Sequence, residues 1–185
     1  MNKVAFLAAT AIAFTTSAIA SESMKVKAMD GVTYVIPPNS PVGKATVKEY
    51  DVVEYAGRIM VSGKYEYGYA TNDPTDEDNY GSKFLTFTLD ESSILKLPYW
   101  SRDGQVADDL EINNPEDFAR ALISEEQQAD LEARKIMSIS GTAIILIDRF
   151  QTHVECDHQY DTADFLSFVD KNYTASRALA EGYGC

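Results

Sequence analysis

The amino-acid sequence predicts an α+β fold that is mainly β: a small curled barrel with one or two helices between strands and a C-terminal helix. Residues 45–70 are rich in Val, Tyr and Ile and are interrupted by glycines, which is typical of strands that curl. Phe84–Leu89 alternates between two faces, as a strand does. Residues 114–135 then change to helical spacing, and residues 136–150 return to strand character.

The first twenty residues have the features of a secretory signal peptide. Lys3 gives a positive start, residues 4–13 are almost wholly apolar, and Ala18-Ile19-Ala20 provides a small-x-small cleavage site. The apolar run is short for a membrane span, which disfavours a retained transmembrane helix. We therefore expect a mature protein that begins at Ser21, is periplasmic or secreted, and is not inserted in a membrane after cleavage.

The next segment, residues 21–44, is predicted to be an N-terminal extension or hairpin. Asp30-Gly31 is a turn signal, Val32–Ile36 is β-prone, and the prolines of residues 37–41 end the strand. No repeat or low-complexity linker follows. Residues 45–185 are therefore predicted to form a single globular domain.

One or two helices are predicted between the strands. Asn114 is a candidate N-cap, and Pro115 fits the first helical position. Ser124 and Gln127 have the spacing of a capping box, which predicts either a second helix or a change in direction of the first, running to about Lys135.

A C-terminal helix is predicted after the last of these strands. Asp161 and Asp164 bracket a helix start. Phe165, Phe168 and Val169 then supply apolar residues at helical spacing, and we expect them to form its buried face.

The glycine-bent segments Gly57–Gly63 and Met137–Gly141 resemble strands of OB-folds. The helix at about 115–135 falls where that five-stranded Greek-key barrel places its own helix, between the third and fourth strands. The resemblance covers roughly residues 45–156, lies at the level of strand order, and implies a small OB-like barrel. A generic α+β sandwich is the alternative fold.

The charge of the chain restricts its partners. The full sequence has a formal net charge of −13, and loss of Lys3 with the signal peptide makes the mature chain one unit more negative. Such a chain repels nucleic acid and anionic lipid, which proteins bind largely through basic side chains. A cationic partner or a metal ion is compatible with it.

The chain has two cysteines, Cys156 and Cys185. In an oxidising compartment an even pair predicts a disulfide. The bond would close a loop of about 30 residues and constrain the C-terminus. Two free thiols available for redox chemistry are the alternative, but no Cys-x-x-Cys spacing supports it.

A row of tyrosines is the first candidate binding surface. On a strand, Tyr65, Tyr67 and Tyr69 project from one face, and such a row could stack sugars or a protein surface. Ile59 and Val61 share their parity, which favours core packing over a ligand platform. A bulge at the intervening glycine would reverse that parity.

Both histidines lie in one hexapeptide that also contains two carboxylates. On a strand, His153, Glu155 and Asp157 would share a face, with His158 close by. Imidazole and carboxylate ligands suit zinc or another divalent metal. Polar residues at a strand end are the simpler interpretation, since the spacing matches no metal-site signature.

An acidic loop is a second candidate cation site, and its carboxylates belong to Asp73, Asp76, Glu77 and Asp78. The calcium loop of EF-hands needs a bidentate glutamate at its last position, where this chain has Phe87. A solvated charged loop is therefore favoured.

The sequence contains no Gly-x-Ser-x-Gly elbow, Walker loop or dinucleotide fingerprint. These observations predict an exported, non-enzymatic binding or protein-interaction module without a cofactor, whose partner is a protein or glycan of the cell envelope. The alternative is a metal-binding protein or metal-dependent hydrolase that uses the segment from His153 to His158.

Overall fold

The computed structural model describes residues 22–71, 73, 75, 80–102 and 107–180. The predicted signal peptide lies outside these residues. The described chain is mainly β and forms two sheets, with short helices between strands. None of the helices in these ranges is long and apolar enough to cross a membrane.

Ten strands and three helices make up the described chain. The strands are β1 (Met24–Lys27), β2 (Thr33–Ile36), β3 (Ala45–Val47), β4 (Val53–Tyr55), β5 (Ile59–Tyr69), β6 (Lys83–Leu89), β7 (Tyr99–Trp100), β8 (Leu110–Ile112), β9 (Ser138–Glu155) and β10 (His158–Ser176). The helices are α1 (Glu91–Ile94), α2 (Pro115–Leu122) and α3 (Glu125–Glu132).

The larger sheet has seven strands and is organised around β9. One edge of β9 pairs with β10 along nearly its whole length. The other edge pairs first with β5 and then with β4. Strand β6 continues the sheet from β5, β3 continues it from β4, and β8 runs parallel to β10.

Strands β6 and β8 also touch at one point. Thr88 and Asp109 form an isolated antiparallel bridge, and the Leu89 amide donates to the Asp108 carbonyl at 2.6 Å. Gly141 allows another close approach, because a Cβ there would overlap the carbonyl oxygen of Asn172 on β10.

The smaller sheet has the order β1-β2-β7. Strands β1 and β2 pair antiparallel around the Asp30-Gly31 turn, where Gly31 has a φ of +97°. The Gln159 side chain on β10 connects this sheet to the larger one. Its Oε1 accepts from the Trp100 amide at 2.6 Å, and its Nε2 donates to the Pro98 carbonyl at 3.0 Å.

Helix α2 packs its apolar face on the inner side of the larger sheet. Phe118 is fully buried, and its ring meets those of Tyr65, Phe165 and Phe168 at centroid distances of 5.4, 5.0 and 4.8 Å. These edge-on aromatic contacts form the centre of the core.

Both helices predicted between the strands are confirmed. Ser124 and Gln127 form the predicted capping box of α3. Asn114 stands at the N-cap of α2, but its side chain makes no capping hydrogen bond. Instead it accepts from the Phe165 amide at 2.8 Å and donates to the Phe165 carbonyl at 3.0 Å, which connects the start of α2 to β10.

The predicted C-terminal helix is wrong, because these residues continue β10 to Ser176. The register of β10 against β9 shifts between Phe165 and Ser167 and again between Phe168 and Asp170. Each bulge adds a residue and changes the parity of the strand. Phe165 and Phe168 therefore both contact Phe118, although they are three residues apart.

Candidate functional site

The predicted tyrosine platform is not a surface. Tyr65, Tyr67 and Tyr69 are at most 7% exposed, and the Tyr65 hydroxyl donates to the Asn172 carbonyl at 2.7 Å. Strand β5 pairs in continuous register through Gly63, so no bulge changes its parity. The tyrosines therefore share the buried face of Ile59, and the stacking interpretation is corrected to core packing.

The histidine hexapeptide forms the tip of the β9–β10 hairpin. His153 lies opposite Tyr160, with the two rings stacked at 5.4 Å, and Glu155 lies opposite His158. Asp157 is in the turn, where it pairs with Arg102 at 2.8 Å.

These side chains do not form a ligand set. His153, Glu155 and His158 share a face of the hairpin, because directly opposed residues of an antiparallel pair project to the same side. Within the described ranges, no group of three or more His, Cys, Asp or Glu side chains could hold a metal ion. Asp157 is turned to Arg102 rather than to the histidines.

Two further predictions fall partly outside the described residues. Cys156 is exposed in the hairpin turn, whereas Cys185 lies outside, so the disulfide stays a prediction. Of the acidic loop, Asp73 is described, and Asp76, Glu77 and Asp78 are not. The Asp73 carboxylate accepts from the amide and hydroxyl of Thr75, which lowers its pKa as in an ordinary turn.

A cavity of about 440 Å³ lies where β6, β8 and β10 meet. Its wall consists of Leu85 from β6, residues 107–111 from β8 and the segment before it, and residues 159–161 from β10. Four of these residues carry carboxyl groups and, among the described lining residues, none is basic. We call this cavity the acidic pocket.

Asp161 is the buried carboxyl group of the acidic pocket. It is 2% exposed and pairs with Leu110 on one side and with Thr152 on the other. Its Oδ1 accepts from Gln159 Nε2 at 2.9 Å, whereas its Oδ2 has no hydrogen-bond partner among the described residues. Burial raises the pKa of Asp161 to about 7, and the neighbouring Gln159 and Thr152 side chains oppose that rise only in part.

Two further buried hydroxyl groups lie in the same part of the core. They belong to Thr152, directly across from Asp161, and to Tyr55 on β4. Burial raises the pKa of Tyr55, and the charge of Asp161 raises it further, which places that hydroxyl within electrostatic reach of the carboxylate. Thr152 acts on Asp161 through a side-chain hydrogen bond that lowers the pKa of the carboxyl group, so these buried oxygens partly satisfy one another.

The rim of the acidic pocket is half open to solvent. Tyr160 is 42% exposed and is held by its stack on His153. Asp108 and Glu111 are exposed, and Asp109 accepts from the Thr88 hydroxyl at 2.9 Å. The lining of the acidic pocket therefore combines an exposed aromatic ring with exposed carboxylates.

Sequence reasoning missed this site because it assigned Asp161 to a helix start. Read as a strand, Asp161, Ala163 and Phe165 fall at alternate positions and share the buried face. The signal was therefore a carboxyl group at a strand position whose side chain is buried. The helix-like spacing of Phe165 and Phe168 concealed it.

Comparison with known proteins assigns no family to this geometry. No family model, curated protein or solved structure matches the chain.

Proposed function

We propose that this chain is an exported, non-enzymatic binding module that holds a cationic protein partner in the cell envelope. The observation that carries the proposal is the acidic pocket, with four carboxyl groups and no basic side chain among its described lining residues. The chain around it has a net charge of −13. Both the local and the overall field attract positive charge.

The strand order supports a binding role on an OB-like barrel. The pairings run from β9 to β5, β6, β8, β10 and back to β9, with the contact from β6 to β8 made by the bridge of Thr88 and Asp109. In chain order these strands are β5, β6, β8, β9 and β10, and helix α2 falls between the third and the fourth of them. In OB-folds the face of the second and third strands binds ligands, and the acidic pocket lies on β6 and β8, which take those places.

The chemistry of the surface favours a basic protein segment over the other partner classes. Phosphate-rich partners would meet carboxylates at the pocket. The tyrosine row of β5 does not support a glycan platform, because its side chains are buried. The described residues provide no ligand set for a metal, so we do not propose the hydrolase alternative.

The test is a binding titration of the mature chain, from Ser21, with a lysine-rich peptide of alternating lysine and glycine. We expect binding at about 50 mM salt that weakens roughly tenfold at about 300 mM, because salt screens charge pairs at the rim. A glutamate-rich peptide of the same length should not bind. Binding of neither peptide, or binding that ignores salt, would contradict the proposal.

A matched pair of variants tests whether binding occurs at the acidic pocket. Asp108→Asn with Glu111→Gln removes two exposed carboxylates from the rim. Glu125→Gln with Glu126→Gln removes two exposed carboxylates from the first turn of α3, away from the pocket. We expect the rim variant to bind the lysine-rich peptide several-fold more weakly than the helix variant, although both lose the same charge. Equal affinities would show that only net charge matters.

A further inference from the structure

The acidic pocket lies at a gap between two strands of the larger sheet. Thr88 of β6 and Asp109 form an isolated bridge, and no ladder of paired residues follows it. Continued in the same register, the pairing would bring Leu85 of β6 opposite Ile112 of β8. Among the described strands, however, β6 is paired with β5 and β8 with β10. Leu85 and Leu110 both line the cavity of about 440 Å³, which therefore lies where β6 and β8 diverge.

The backbone of β6 presents hydrogen-bonding groups to this gap. The Asp90 amide donates to the Ser62 carbonyl on β5, whereas the Leu89 amide donates to the Asp108 carbonyl on the other side. Successive amides of a strand point to opposite edges, so the Leu85 amide points away from β5, as that of Leu89 does. Within the described ranges, no cross-strand pair takes up the Leu85 N–H and C=O on this edge. Leu85 therefore offers one donor and one acceptor to the gap.

The side chains beside the gap differ between the two faces of the sheet. On the inner face, Leu85 is half-buried and Leu110 is buried. On the outer face, Glu111 is exposed, and Asp109 lies beside Thr88. Because side chains alternate along a strand, an extended segment in the gap would place one set beside the leucines and the other beside the carboxylates. Such a segment would carry lysines at alternate positions, with small or apolar residues between them.

We infer that the acidic pocket receives an extended segment of the cationic partner as an added β-strand, which pairs with the free edge of β6 at Leu85 and places lysine side chains beside Asp109 and Glu111. This inference rests on the proposed function and specifies how that partner binds. An unpaired strand edge is a template for another chain. When a strand is added to such an edge, main-chain hydrogen bonds hold the segment and alternate side chains select its sequence.

The experiment measures amide hydrogen exchange by NMR in the mature chain, with and without the lysine-rich peptide. A saturating concentration of the peptide should slow exchange of the Leu85 amide at least roughly tenfold, because that N–H gains a main-chain acceptor. The Thr86 amide points towards β5 and is the internal control, so its exchange should stay unchanged. Peptide binding that leaves exchange at Leu85 unchanged would overturn the inference.

Modified peptides separate main-chain pairing from attraction between charges. One peptide carries N-methyl groups on its lysine nitrogens, and the other carries them on its glycine nitrogens. An extended strand directs alternate N–H groups to the same edge, so at least one of the two peptides should bind roughly tenfold more weakly than the parent peptide. Both peptides keep every positive charge. If both bind as tightly as the parent, the strand pairing is wrong.

Two variants at one position test the edge of β6 itself. Leu85→Pro removes the N–H that faces the gap, and a strand edge tolerates proline there because no bond to β5 is lost. Leu85→Ala shortens the same side chain but keeps the N–H, and it is the matched control. We expect Leu85→Pro to bind the lysine-rich peptide roughly tenfold more weakly than Leu85→Ala. Equal affinities of the two folded variants would overturn the inference, and the methylated peptides decide if Leu85→Pro does not fold.

The outcomes also separate this inference from the proposed function. If the rim variant weakens the lysine-rich peptide while Leu85 stays unprotected and both methylated peptides bind normally, the binding module stands and the added strand is wrong. If the native chain does not bind the lysine-rich peptide at all, both the proposed function and the added strand are wrong.

Discussion

At the scale of single residues, Asp161 is unusual because a carboxyl group occupies a position where the strand buries its side chain. Its buried neighbours Thr152 and Tyr55 carry neutral hydroxyl groups, and Asp161 is the one of the three that changes charge near neutral pH. Keeping such a group in the core destabilises the fold whenever the group is ionised and unpaired.

The raised pKa of Asp161 predicts how stability depends on pH. The folded value is about 7, and the unfolded carboxyl group has its ordinary value near 4. Between these two pH values the folded state binds more protons than the unfolded state. The contribution of Asp161 to stability is therefore full below about pH 4 and is lost as the pH rises through about 7. In the variant Asp161→Asn, this loss of stability with rising pH should be absent.

Urea unfolding at about pH 5 and about pH 8 measures the effect. The stability of Asp161→Asn relative to the native chain should improve by a few kcal/mol between the two pH values. The difference isolates Asp161, since every other titrating group is common to both proteins. Asp170→Asn should follow the native profile. Parallel profiles for Asp161→Asn and the native chain would show that the carboxyl group is not protonated in the fold.

At the scale of elements, local signals predicted the helices and failed for the last strand. The capping box of Ser124 and Gln127 lies within four residues, so the sequence displays it directly. The bulges of β10 depend on its pairing with β9, and they make Phe165 and Phe168 look like one face of a helix. The face of the β5 tyrosines likewise depended on whether Gly63 interrupts the pairing.

Phe118 makes the main packing contacts of helix α2. Substitutions at different positions of this helix should therefore change the free energy of unfolding by very different amounts. Phe118→Ala should lower the free energy of unfolding by about 3–5 kcal/mol, because it leaves a cavity among four aromatic rings. Glu116→Ala, at an exposed position of the same helix, should change it by less than about 0.5 kcal/mol. Urea unfolding measures both, and similar values for the two variants would mean that α2 does not depend on this packing.

At the scale of the whole molecule, the candidate site is nonlocal in a way that no single stretch of sequence displays. Tyr55, Thr152 and Asp161 come from three strands, and about a hundred residues separate the first from the other two. Composition alone shows a net charge that is compatible with a cationic partner or a metal ion. The place where the carboxylates of the acidic pocket come together depends on the strand pairing, which composition does not contain.

Export and the disulfide are one prediction about the whole molecule, because the second depends on the first. In an oxidising compartment Cys156, exposed at the tip of the β9–β10 hairpin, should be bonded to Cys185 and close a loop of about 30 residues. We expect native material to begin at Ser21 by intact mass and to resist alkylation until it is reduced.

Substituting both cysteines by serine should lower the free energy of unfolding by about 3–4 kcal/mol, because the unfolded chain regains the entropy that the loop removes. Reduction of the native chain should cause a loss of the same size, whereas the same reductant should leave the double variant unchanged. An uncleaved leader together with two thiols that alkylate without reduction would contradict export, and with it the assignment of the partner to the cell envelope.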